Sequence, residues 1–486
     1  MVPSMANAPF DLLILNATVI DGTGADRYKA DVAVSDDRIA KIGGISAQKK
    51  VPTIDATGKV LSPGFIDVHT HDDHALLMWP DMTYKASQGV TSVIAGNCGI
   101  SLAPLTWGED PLPPPLDLLG DGYRFPKMEN FFRSLEENPP SLNAGLLCGH
   151  TTLRAGAMKD LTRGATSREL NHMRENLQEA LDAGALGLST GLAYTPAMPA
   201  PTSEIIALAK LLGPAGGLYT THLRNEEEKV EEALEEAFEI GRAAGVPVVL
   251  SHHKVAGKAQ FGRTKQTIEI IEKNRGLQKV HLDVYPYHAS STVIRPDRLK
   301  HSKKTLITWS KSMPEHAGRD LADVADEMGL PLEDAAKKLM PGGAIYFAMD
   351  EQDVQRVIQY PPSMIASDGL PHDEKPHPRL WGTFPRVLGH YSRDLGLLPL
   401  EIAIHKMTGL PAETFGLAAR GTLKEGNFAD LTLFDPETII DSASFDNPKH
   451  PADGIEMVFV NGECIYQFGE STGKRPGRTL KRQHTA

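Results

Sequence analysis

Two histidines one residue apart, His69 and His71, follow the apolar run Gly64 to Val68, and an extended backbone would turn both imidazoles to one face. Cys98 follows the run Ser92 to Ala95, His222 follows Gly217 to Thr220, His252 or His253 follows Val246 to Leu250, and Asp368 follows Met364 to Ala366. Imidazole, thiolate and carboxylate are the side chains that bind zinc. Singly, each residue has an ordinary reading. A His-x-His pair can be two unrelated histidines, a cysteine is often a small buried hydrophobe, and the Asp of Ser-Asp-Gly suits a turn. Jointly, five separate segments offer a ligand at the same relative position, the C-terminal end of an apolar run, and that placement points to a metal site.

The elements that must position these groups are short strands. Eight candidates are Gly64 to Val68, Ser92 to Ala95, Ala144 to Cys148, Ala185 to Leu188, Gly217 to Thr220, Val246 to Leu250, Val280 to Val284 and Met364 to Ala366. Amphipathic helical patterns intervene, the clearest being Glu226 to Ala244 with its acidic start. Eight parallel strands with helices between them make a closed (β/α)8 TIM barrel, an α/β fold whose active sites lie at the C-terminal strand ends. Residues 63–414 are assigned to the barrel, with an inserted subdomain at about 288–349, because that interval far exceeds an ordinary connection. Residues 1–62 and 415–486 are each rich in β pattern and read as two halves of a small β-sandwich, the second marked by an Asn461-Gly462 hairpin turn.

Charge and composition narrow the function. A formal net charge of -12 argues against a broad nucleic-acid surface but leaves room for a local cationic pocket. No apolar run is long enough to span a bilayer and no secretory leader is evident, so the expected setting is cytoplasmic, with no membrane partner. Three cysteines, Cys98, Cys148 and Cys464, are too few and too scattered for a disulfide framework. Oligomeric state is not readable from these features.

Asp67-Val68-His69-Thr70-His71 after a Pro-Gly-Phe-Ile strand, with the later histidines and Asp368, resembles the amidohydrolase superfamily. Gly96-Asn97-Cys98-Gly99, Asp283-Val284-Tyr285-Pro286-Tyr287, Gly343-Ala344-Ile345-Tyr346-Phe347, Ser367-Asp368-Gly369-Leu370-Pro371 and His377-Pro378-Arg379-Leu380-Trp381-Gly382 resemble the D-aminoacylases, which deacylate N-acyl-D-amino acids. The resemblance implies one zinc held tightly by Cys98, His222 and His252, and a weaker second position formed by His69, His71, Cys98 and Asp368. Three protein ligands would leave a coordination position open, as catalytic zinc requires. No lysine occurs in Gly187-Leu188-Ser189-Thr190-Gly191-Leu192, where many amidohydrolases carry a bridging carboxylated lysine, so Cys98 is expected to bridge.

The resemblance also implies roles in catalysis and binding. Zinc lowers the pKa of water towards about 7, and Asp368 is expected to take that proton and deliver it to the leaving nitrogen. Tyr194 resembles the residue that helps polarise the scissile carbonyl, and His150 could support the site from behind. Arg379, Lys254 and Tyr285 match positions implied to grip the substrate α-carboxylate, a task that suits the planar guanidinium. Tyr346 and Met349 resemble the lining of an apolar side-chain pocket. Arg298 and Lys300, in the same insertion, would instead suit an acidic side chain. Neutral, hydrophobic D-amino acids are the expected substrates; N-acyl-D-glutamate or N-acyl-D-aspartate, a cyclic amide of the hydantoinase or dihydroorotase kind, or a non-catalytic scaffold are the alternatives.

Overall fold

The computed structural model describes residues 10–46, 50–108, 111–120 and 122–482. Eight positions of parallel strand form the barrel: Phe65–Asp67, Val90–Ala95, Asn143–Leu146 continued by Cys148–Gly149, Gly187–Gly191, Leu218–His222, Val248–Leu250, Val280–Val284 and Ser363–Ile365. The third strand is interrupted at Leu147, whose N–H still bonds Ala95 O at 2.9 Å. The ring closes beyond the first and last strands, where Thr70 bridges Gly369 and Asp368 N–H donates to His69 O at 2.9 Å.

Side chains alternating inward along these strands, including Ile66, Ile94, Leu186, Leu218, Val249 and Met364, fill the interior. Leu410, Phe415, Leu417 and Leu480 join the same cluster and continue it below the strands. Burial of this kind stabilises by roughly 25 cal/mol per Å² of apolar surface. It also leaves only the opposite, C-terminal end of the barrel open for chemistry.

The chain ends meet in one nine-stranded sheet. Leu12–Val19 runs parallel to Val60–Pro63, which pairs antiparallel with Leu431–Phe434, and the sheet curls until Arg38 bridges Phe428. Ile14, Val32, Leu61, Leu431 and Phe459 form its separate core, giving a β-sandwich beside the TIM barrel. Not all of the tail goes there. Thr479–Leu480 instead adds parallel to the third barrel strand, Thr479 opposite Ala144, because Leu480 finds apolar cover in the barrel core.

Between the seventh and eighth barrel strands, Ser290–Val293, Thr305–Ser310 and Gly342–Tyr346 form an antiparallel sheet with Gly342–Tyr346 at its centre. Two helices, Leu321–Met328 and Leu332–Leu339, pack on it around a core of its own. One helix begins later than its acidic start suggests, at Val230 rather than Glu226. Asn225 Oδ1 accepts the N–H groups of Glu227 and Lys229, both at 2.9 Å, and this side-chain turn holds off helix formation. Among the described residues no helix is long and apolar enough to cross a membrane.

Candidate metal centre

Six ligand candidates converge at the open end of the barrel. Cys98 Sγ lies 3.3 Å from His69 Nε2, 3.4 Å from His252 Nε2 and 3.9 Å from His222 Nδ1. A tetrahedral zinc with arms of about 2.3 Å to sulfur and about 2.0 to 2.1 Å to nitrogen has sulfur-to-nitrogen edges of about 3.5 Å, so these separations suit such an ion. Two triads, His69–His71–Cys98 and Cys98–His222–His252, each keep their ligand atoms within 4.8 Å of one another, and Cys98 is common to both. Soft sulfur and imidazole nitrogen are donors that zinc favours.

The backbone at this centre is unusual. Cys98, His252 and Asp368 have φ of 53°, 38° and 49°, in the left-handed region that non-glycine residues seldom adopt. Each turns the chain sharply off the end of a strand and aims its side chain back over the barrel mouth. The same turn decides between neighbouring histidines. His253 points away, its Nε2 2.9 Å from Thr267 Oγ1, while His252 faces the cysteine. The left-handed turn at His252 breaks the extended course of the strand, yet the segment brings Lys254 Nζ to 2.9 Å from His252 Nδ1.

Electrostatics follow from burial among opposite charges. Burial disfavours the thiolate of Cys98, but the imidazoles of His69, His252 and His222 outweigh it and hold the thiol well below its ordinary range. Asp368, likewise opposed by burial, is held well below the carboxylate range by the Arg379 guanidinium and by His69 and His71. Its Oδ1 lies 3.5 Å from His69 Nε2 and 3.3 Å from His71 Nε2, and its Oδ2 lies 2.8 Å from Arg379 Nη1. A carboxylate placed between two imidazoles and a guanidinium can exchange protons or touch a metal.

The expected binding residues divide. Arg379 is fully buried, donates to Ser291 O at 3.1 Å and stacks over the Tyr285 ring at 4.5 Å, with Lys254 Nζ 5.7 Å from the same ring. Met349 clusters with Tyr285 and Tyr287. Tyr194 packs its ring 5.0 Å from His222, and its hydroxyl lies 3.2 Å from Thr292 Oγ1. Tyr346 instead belongs to the core of the insertion, its hydroxyl accepting Arg295 N–H at 2.7 Å and donating to Val293 O at 3.2 Å. His150 sits with Glu204 (3.0 Å) and Arg154, whose Nε–H donates to Pro196 O, so it braces the loop that carries Tyr194. Lys300 is exposed, whereas Arg298 turns inward to within 3.5 Å of Glu226 Oε2.

Three residues at the site escaped the sequence reading. Asp283 ties two ligands together, with Oδ2 3.3 Å from His69 Nδ1 and Oδ1 accepting His252 N–H at 2.8 Å. Glu226 lies behind His222 and His252. Lys85, wholly buried, donates to Asp67 Oδ2 and Ser367 Oγ at 2.6 Å each, linking the segments that carry His69 and Asp368. Asp283 and Asp67 stood inside quoted motifs, but nothing local marks a buried lysine or a carboxylate in a helix-like run.

Comparison with known proteins agrees with this architecture. A family model described as the amidohydrolase family matches residues 52–332 and 207–466. A D-aminoacylase of Alcaligenes xylosoxydans xylosoxydans is 52% identical over 476 residues, covering 98% of each chain, and an N-acyl-D-aspartate deacylase of the same organism is 49% identical over 98% of this chain and 96% of its own. A crystal structure of D-aminoacylase superposes with a TM-score of 0.95 at 54% identity, over 98% of this chain and all (100%) of the other. An N-acyl-D-glutamate deacylase of Bordetella bronchiseptica, complexed with zinc and a phosphonate mimic of the tetrahedral intermediate, gives 0.94 at 44% identity over the same shares. The chain belongs to the amidohydrolase family, in the branch that holds the D-aminoacylases.

Proposed function

We propose that this protein is a zinc-dependent hydrolase that cleaves N-acyl-D-amino acids to a carboxylate and a free D-amino acid. The observation that carries the reading is the Cys98 sulfur set among three imidazoles, with the Asp368 carboxylate beside two of them. Cys98, His222 and His252 would hold a tight zinc, and His69, His71, Cys98 and Asp368 a weaker second one. When bound, zinc polarises the scissile carbonyl and acidifies water.

The chain's own groups supply the rest. Asp368 takes a proton from the attacking water and later delivers it to the leaving nitrogen, so that the amine departs neutral. Tyr194 is buried and its phenol is held above its ordinary pKa, chiefly by that burial, so it stays protonated and can donate to the carbonyl oxygen. Arg379, Lys254 and Tyr285 would receive the α-carboxylate, with the Tyr285 ring backing the guanidinium. For the side chain, Met349 and Tyr285 present apolar surface, Lys300 faces solvent, and the charge of Arg298 is offset by Glu226. Neutral, hydrophobic D-amino acids suit this lining better than acidic ones, and Tyr346 would act on it from within the insertion. A cytoplasmic setting would keep Cys98 reduced.

The test is a panel of N-acetyl-D- and L-amino acids with neutral and acidic side chains, together with hydantoin, assayed alongside the zinc content of the purified protein. Release of amine from N-acetyl-D-methionine and N-acetyl-D-leucine ahead of the others is expected. Opening of hydantoin without cleavage of linear amides, or equal use of both enantiomers, would overturn the assignment.

A further inference from the structure

Behind the Cys98 triad stands a carboxylate with no part in the steps above. Glu226 is 3% exposed, and its backbone is pinned by Ala256 N–H, which donates to Glu226 O at 2.7 Å. Its Oε1 lies 3.0 Å from His252 Nδ1 and 2.6 Å from Lys254 Nζ. Its Oε2 lies 3.4 Å from His222 Nε2 and 3.5 Å from Arg298 Nη2. Four cationic or N–H-bearing groups surround this carboxylate, two at each oxygen, those at Oε2 at ion-pair distance without a hydrogen bond.

The pairing with the histidines has a direction. His252 turns Nε2 towards Cys98 and Nδ1 towards Glu226, while His222 turns Nδ1 towards Cys98 and Nε2 towards Glu226. In both rings the nitrogen at Glu226 is the one opposite the nitrogen at the sulfur. Lys254 Nζ also lies 2.9 Å from His252 Nδ1, but that ammonium has acceptors in Glu226 Oε1 at 2.6 Å and His252 O at 3.1 Å. A ring proton kept on the Glu226 side then leaves a lone pair on the Cys98 side, which is the donor a metal needs. The third partner, Lys254, is the residue read above as gripping the substrate carboxylate.

We infer that Glu226 is a positioning residue that fixes the tautomers of both imidazoles of the Cys98 triad and, through the same carboxylate, the place of the Lys254 ammonium. The inference rests on the zinc reading of the site and adds a single group that couples metal affinity to substrate affinity. Glu226→Gln preserves shape but removes the charge and replaces one acceptor oxygen by an NH2 group that faces donors.

Zinc affinity of the purified full chain, measured by competition with a chromogenic chelator, should fall by roughly 10–100-fold in Glu226→Gln. KM for N-acetyl-D-methionine should rise by about tenfold, the loss expected for one charge-assisted contact. The visible spectrum of the cobalt-loaded variant should also move from that of the cobalt-loaded parent, which a purely structural role would not cause. If the parent itself holds no zinc and cleaves no N-acyl-D-amino acid, the functional reading falls and this inference falls with it. If the parent is loaded and active but Glu226→Gln matches it in zinc affinity and KM, this inference alone is overturned. Should Glu226→Gln fail to fold, Glu226→Asp decides the matter. It keeps the charge but withdraws it by one methylene, and parent-like values for zinc affinity and KM would likewise overturn the role.

Discussion

The two flanks of the metal centre use the same residue types in opposite arrangements. On the His222–His252 flank the carboxylate, Glu226, lies behind the rings and away from the sulfur. On the His69–His71 flank the carboxylate, Asp368, lies in front, against the same Nε2 atom of His69 that faces Cys98. Support from behind also differs. His222 and His252 both face the Glu226 carboxylate, His222 Nε2 at an ion-pair distance of 3.4 Å without a hydrogen bond, whereas His69 Nδ1 rests on Asp283 and His71 Nδ1 is buried without a hydrogen-bond partner among the described residues. A carboxylate at the back orients a ligand, whereas one at the front is available to the reacting atoms. The flank whose two rings both face a carboxylate from behind suits the tighter ion, and the flank where only one does suits proton transfer and a weaker one.

Cys98→Ala strikes what the flanks share and should have the largest effect. Zinc and activity should both fall to background in metal analysis and amine-release assays; full zinc occupancy in this variant would break the comparison, since neither flank would then need the sulfur. Asp368→Ala should separate the flanks. Turnover is expected to drop by about 10²- to 10⁴-fold, the range for loss of a general acid–base group, while chelator competition shows the tight zinc retained. A variant that keeps most of its turnover would remove Asp368 from proton transfer.

The smallest effect concerns pH. Burial opposes the charge on His71, but its hydrogen bonds to Asp368 and Cys98 win and lift its pKa to about 9; burial likewise opposes His69, but Asp283 and Cys98 hold it well above its ordinary value. On the other flank burial and Lys254 oppose the charge on His252, but Glu226 and Cys98 raise it, while burial carries His222 below its ordinary value. A metal entering the His69–His71 flank must displace protons from two raised imidazoles at any pH below about 9, against one on the other flank, so affinity there should climb more steeply with pH. Calorimetric zinc titrations in buffers of different ionisation enthalpy would read that release as a second, weaker binding step. Two steps with the same pH dependence would erase the distinction between the flanks.

Much of this was legible because barrel strands are short apolar runs and their ends can be marked residue by residue. His69, His71, Cys98, His222 and Asp368 were found that way. The choice between His252 and His253 was not open to a rule based on alternation, because φ of 38° at His252 breaks it. Glu226 was read as the opening of an amphipathic helix, and its carboxylate finds Lys254 across a separation of 28 residues that no local pattern encodes. Lys85 pairs with Asp67 and, 282 residues away, with Ser367; each partner is unremarkable until the barrel closes. The tail strand Thr479–Leu480 was absorbed into the sandwich on composition, since two residues carry too little pattern to show which sheet they join.

The left-handed turns at Cys98, His252 and Asp368 set the chemistry of this fold against its robustness. Each such conformation in a residue bearing a Cβ costs on the order of 1 kcal/mol or more, so replacement by glycine would relax the chain at the places where function resides. Sequence drift free of selection for activity would therefore be expected to run towards sturdier, inert barrels. Persistence of cysteine, histidine and aspartate at these three turns in a living lineage would be a mark of chemistry still in use.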